Sequence, residues 1–99
     1  MSILPADQNL FHVDIEYTVD LALVEPHMTA HLAFVDEGYA RGFFLASGPK
    51  VPRTGGAIMA TAPSREMLED FLAGDPFVTE GLIALSVTEF IPRRTVTGL

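Results

Sequence analysis

An α+β fold, one four-stranded antiparallel sheet with two helices on one of its faces, is what the sequence predicts, and three observations support it. The stretch "FHVDIEYTV" alternates Phe11, Val13, Ile15, Tyr17 and Val19 with His12, Asp14, Glu16 and Thr18, the period of two of a strand with one buried face. Two segments with helical spacing and three further short apolar runs follow in the order strand, helix, strand, strand, helix, strand. The 99 residues suffice to close one core of this kind and are too few for two.

In chain order, the strand at 11–19 comes first. From Val24 onward, Met28, Leu32, Val35 and Tyr39 recur at steps of four, three and four, the inner stripe of an amphipathic helix that is expected to end near Gly38. Pro26 suits its first turn. "GFFLASGP" reads as a buried strand closed by Gly48 and Pro49, and "AIMATA" as its hairpin partner across the polar loop "KVPRTGG". Ser64 is placed to cap a second helix with Met67, Leu68 and Phe71 inward, and Gly74 to end it. "LIALSVTEF" supplies the last strand before Pro92. This order is the split βαβ arrangement of a ferredoxin-like domain, with both helices on one sheet face. Residues 1–99 form a single domain with its core at about 11–92, and the weakly patterned ends, 1–9 and 93–99, are expected as loose tails.

Composition narrows the partners. Hydrophobic residues make up 48% of the chain and charged ones 19%, which suggests that some apolar surface lies in a subunit interface. On the sheet face away from the helices, Ala57, Met59, Ala84 and Ser86 are small or apolar enough to pack on another copy, so a homodimer or higher homo-oligomer with facing sheets is expected. A net charge of −7 with only six Lys and Arg argues against nucleic acid or an anionic membrane surface as partner. Without cysteine there is neither a disulfide framework nor thiolate chemistry, which suits the cytoplasm. "MSILPADQNL" has neither a basic n-region nor a long apolar run, so it reads as neither signal peptide nor membrane span.

Few residues are placed to do chemistry. His12 belongs to the polar face of the first strand, where a solvated or interface role outweighs a ligand role. His27 and His31 lie one helical turn apart, the spacing with which two imidazoles grip a metal, but no third ligand or HExxH arrangement accompanies them and no metal is expected. His31 directly precedes Leu32 of the apolar stripe, at the edge between helix and sheet. For acid/base work it needs a partner that fixes its tautomer, and Asp75 is the best-placed acid at an element boundary. The topology lets the two meet, since both helices cover the same face. Asp75 reads equally as the cap of a short turn starting at Pro76, accepting from the amides of Phe77 and Val78. Ser47, at a strand end before Gly48 and Pro49, is placed to bond a ligand or the adjacent turn, and no Gly-x-Ser-x-Gly elbow surrounds it. Lys50 and Arg53 lie in a glycine-containing loop that either folds over an anionic ligand or is a mobile hairpin tip, the commoner case. Asp36, Glu37, Glu66, Glu69 and Asp70 read as a solvated face.

"HLAFVDEGYARGFFLASGP", the hairpin after it, "SREMLEDFLAGDPF" and "GLIALSVTEF" together resemble the YCII-related family of the dimeric α/β-barrel superfamily over about residues 11–92. The His-Leu opening, the Gly-Pro after the second strand and the Asp-Pro-Phe after the second helix carry the resemblance. It implies a ferredoxin-like dimer with an active-site His-Asp pair that falls on His31 and Asp75, with Ser47 in the same pocket. Beside Ser47, His27 is taken as a substrate-contacting candidate, one turn from His31. The family's frequent R-x-x-H pattern has Met28 at the Arg position here, which leaves open how an anionic substrate is held. Some relatives resemble lyases that remove HCl from chlorinated hydroxyquinol-type aromatics, and muconolactone isomerases share the superfamily fold. Both move a proton at a carbon activated by a neighbouring oxygen, work that a His-Asp pair performs without a cofactor. The resemblance therefore implies a small cofactor-independent lyase or isomerase acting on a small cyclic or aromatic compound, with His31 as general acid/base and Asp75 as its orienter or the proton acceptor. The alternative is a non-catalytic metabolite-binding or accessory dimeric subunit.

Overall fold

A computed structural model describes residues 2–99. The elements run β1 (Asn9–Tyr17), α1 (Leu21–Val24), a 3₁₀ turn (Glu25–His27), α2 (Met28–Ala40), β2 (Phe44–Pro49), β3 (Gly55–Ala62), α3 (Arg65–Leu72), α4 (Pro76–Thr79) and β4 (Ile83–Phe90). All strand pairs are antiparallel and the sheet order is β2-β3-β1-β4, the ferredoxin-like arrangement. The alternation of β1 places it at the centre: Phe11, Val13 and Ile15 are buried, and Val13 lies opposite Ile58 on one side and Val87 on the other. With Val35, Phe44, Ala60, Ala62, Leu68 and Leu72 they make the main core between sheet and helices. A smaller cluster of Val24, Phe77 and Leu82 closes one end.

The helix expected after β1 is three pieces rather than one, and it meets the sheet along a different line. Val24 and Val35 of the expected stripe are buried, but Leu32 and Tyr39 are 52% and 41% exposed. The buried or half-buried positions of α2 are Met28, His31, Phe34, Val35 and Gly38, and most follow the helical steps of three and four. Gly38 explains the rotation. It lies in the last turn of the helix, which ends at Ala40 and so near the expected place; the Phe44 ring lies against it, and a Cβ added there would come within 2.2 Å of that ring. The helix thus approaches the sheet at its smallest residue, and Tyr39 next to it meets the Phe44 ring edge-on. Gly42, just past the end, takes the left-handed conformation (φ 79°) that a residue without Cβ adopts freely.

In α3 the Ser64 hydroxyl accepts from the Met67 amide as a cap should. Leu68 and Leu72 are buried, whereas Met67, expected inward, is exposed. Gly74 does not turn left-handed. The helix instead tightens into i→i+3 bonds, Gly74 N–H to Phe71 O (3.0 Å) and Asp75 N–H to Leu72 O (3.1 Å). The terminal segments expected as loose tails meet each other: the Ile3 amide donates to Gly98 O, the Leu4 amide to Leu99 O, and Leu4 is buried. No described helix is long and apolar enough to cross a membrane.

Candidate active site

Between α2 and the helix-covered face of the sheet lies a cavity of about 310 Å³. Ile15, Val35, Ile58 and Phe77 supply apolar walls, and His31, Ser47 and Arg53 supply polar groups. Sequence leaves this room open. On the inner face of β3, Gly56 stands opposite Ile15 and Pro49 and contributes no side chain, where Ile58 two residues later fills its place in the core.

His31 and Asp75 meet on this cavity. The imidazole Nδ1 lies 2.9 Å from Oδ1 and 3.1 Å from Oδ2 of Asp75. Asp75 is among the most buried residues of the chain, and its Oδ1 also accepts from the Phe77 amide at 2.9 Å while its carbonyl accepts from the amides of Val78 and Thr79. The carboxylate therefore caps α4 and holds the histidine at once. Pro76 after it favours an extended backbone at Asp75 (φ −61°, ψ 128°), which sets the direction in which the side chain leaves the turn. Beneath the imidazole, Phe77 stacks in parallel, with ring centres 3.9 Å apart and planes inclined by 2°.

The tautomer follows from these contacts. A carboxylate at Nδ1 takes the Nδ1–H of a neutral ring and leaves the lone pair on Nε2. Among the described residues Nε2 has no protein partner, and no buried side-chain nitrogen or oxygen is unpaired, so Nε2 faces the open space of the cavity. It can accept a proton there, and the imidazolium so formed stays bonded to Asp75.

Ser47 reaches the same cavity through a bulge in β2. Phe44 pairs with Ala60 and Ala46 with Met59, so Leu45 is an extra residue, and Ser47, opposite Ile58, turns to the inner face. Strict alternation from Phe44 would have sent it to the other side. Its hydroxyl is 2.8 Å from the Tyr39 hydroxyl. His27, by contrast, ends the 3₁₀ turn half-buried and does not line the cavity. Among the described residues no group of three or more His, Asp or Glu side chains comes together in a way that could hold a metal ion. Phe77 and Tyr39 contribute contacts that spacing alone did not reveal, since a stacking partner after a turn belongs to no periodic pattern.

These features define the class first: a ferredoxin-like α+β domain with a pocket between helix and sheet. Residues 10–91 match the family model for the YCII-related domain, and the chain belongs to that family. No curated protein matches it in sequence. Among solved structures it is similar to 5-chloro-2-hydroxyhydroquinone dehydrochlorinase from Burkholderia phenoliruptrix in complex with 2,5-dihydroxybenzoquinone, at TM-score 0.71 and 24% identity over 82% of this chain and 92% of that one. It is also similar to SnoaB, a cofactor-independent oxygenase from Streptomyces nogalater, at TM-score 0.51 and 15% identity over 92% of this chain and 98% of that one. At these identities the likeness establishes the fold.

Proposed function

We propose that the protein is a small cofactor-independent enzyme, a lyase or isomerase, in which His31 and Asp75 act as an acid/base pair on a small cyclic or aromatic substrate. The observation that carries this reading is the Asp75-bound His31 ring in the wall of a largely apolar cavity. In the proposed step Nε2 takes a proton from a ring carbon beside a C=O group, in the keto form of the ring or in a lactone; the C–H electron pair forms the C=C bond and the carbonyl π pair moves onto oxygen, giving an enolate. The enolate then expels an anionic leaving group from the neighbouring carbon, as a lyase does, or is protonated at a different carbon, as an isomerase does. Asp75 holds the ring and stabilises its charge; Ser47 contacts the substrate. That one structural relative is a dehydrochlorinase and another a cofactor-independent oxygenase supports chemistry of this kind without a bound cofactor.

The test is turnover of chlorinated hydroxyquinols and unsaturated lactones, followed by loss of absorbance. His31→Ala should lower kcat by about a hundredfold or more, the usual contribution of a general base. Wild-type rates in the folded variant would refute the assignment. The competing reading, a non-catalytic metabolite-binding or accessory subunit, draws on the bond from the Phe77 amide to Asp75, because a cap alone accounts for a buried acid at that turn. That reading expects ligand binding without conversion.

A further inference from the structure

The cavity's single strong charge is the feature that the acid/base assignment leaves unused. Arg53 is the only Lys or Arg among the described residues that line it, on a chain whose net charge is −7. Met28, one turn before His31, lines the same space and brings no charge. The hairpin loop that carries Arg53 is tied down on both sides: the Lys50 amide donates to Gly55 O (3.0 Å), the Tyr17 amide to Thr54 O (2.9 Å), and Lys50 Nζ lies 2.9 Å from Asp14 Oδ1. Lys50 is thereby engaged with the sheet while Arg53 is directed to the cavity. The partner Arg53 does have is a weak one. Its Nη1 is 3.8 Å from Glu25 Oε1, and the two side chains are 44% and 56% exposed. A pair so long and so wet contributes little and is readily exchanged for a better acceptor.

Building on the site reading above, we infer that Arg53 anchors an anionic oxygen of the ligand, a ring phenolate, enolate or carboxylate, at the cavity mouth, and that Glu25 competes with the ligand for the guanidinium. The planar guanidinium suits such an oxygen because it offers two parallel N–H donors to a carboxylate or to adjacent ring oxygens. The apolar walls accept the ring, Arg53 fixes which end carries the charge, and the ring's opposite side is left toward His31. Arg53 is a binding and specificity residue in this account, and the substrate class narrows to rings that carry an anionic oxygen or develop one when a proton is removed.

Equilibrium binding tests it without reference to turnover. Benzoate and benzamide, nearly the same shape but differing in charge, and 2,5-dihydroxybenzoquinone, an acidic ring, would be titrated calorimetrically into the wild type, Arg53→Gln and Glu25→Gln. The wild type should prefer benzoate to benzamide. Arg53→Gln should weaken both anionic probes roughly tenfold or more, the scale of one charge-assisted hydrogen bond, and leave benzamide unchanged. Glu25→Gln should strengthen the anions by about two- to fivefold, the scale of an exposed ion pair. Absence of charge preference in the wild type, or a preference that survives Arg53→Gln, would overturn the inference even if His31-dependent turnover were found. Intact Arg53-dependent preference with no turnover of any substrate would uphold it and count against the acid/base reading instead.

Discussion

One carboxylate serves two partners at Asp75, and the two can be separated. Its Oδ1 accepts from the Phe77 amide and from His31 Nδ1, and Oδ2 lies within 3.1 Å of the same ring nitrogen. Asparagine is as good a cap as aspartate, so Asp75→Asn keeps the Phe77 bond and is expected to cost about 1 kcal/mol or less. Asp75→Ala loses the cap and leaves a shielded imidazole nitrogen unpaired, which is expected to cost about 2 to 4 kcal/mol. Urea denaturation with unchanged m-value checks both, and equal losses would contradict the dual role. The cap was legible in the sequence, because Asp before Pro at the end of a helical pattern has few other uses. The pairing with His31 was legible through topology, which brings the end of one helix to the side of another, and through the family resemblance. The Phe77 stack was not legible, because ring-on-ring contact depends on the angle at which the four-residue α4 follows α3.

At the scale of elements, glycine is where reading and structure part. Gly38 lies in the last turn of α2, near the end that the sequence suggested, but its missing Cβ also has a packing role, as the notch that admits Phe44. Periodicity counts apolar side chains, and so it favoured Leu32 and Tyr39 over the residue with no side chain that sets the closest approach. A ring seated at Gly38 turns His31 inward beside Val35, and that rotation is what delivers the histidine to the cavity. The bulge at Leu45 is a similar case. It depends on the register between β2 and β3, which no local pattern in "GFFLASGP" encodes, and it decides whether Ser47 faces the cavity or the other side of the sheet.

For the whole molecule the order of elements was readable, because strands and helices of these lengths in this sequence have few compact solutions. What one chain leaves open is the far side of its sheet. There Ala84 and Ser86 are exposed, Ala57 and Met59 are half-buried, and Asp14 and Glu16 of the central strand share that face. We propose that a second copy packs on it, and light scattering at micromolar concentration should give at least twice the mass of the chain. A monomer would contradict the proposal. The proposed chemistry, with or without that partner, rests on one juxtaposition: a buried acid that fixes a histidine and leaves its other nitrogen without a protein partner among the described residues. Nitrogen-15 NMR of the neutral form of the His31 ring tests this most directly. A proton on Nδ1 and an unprotonated Nε2 is the expected result, with the two exchanged in Asp75→Asn, whose amide donates to Nδ1. A wild-type ring carrying its proton on Nε2 would contradict the account, since the nitrogen facing the cavity would then have no lone pair with which to take a proton.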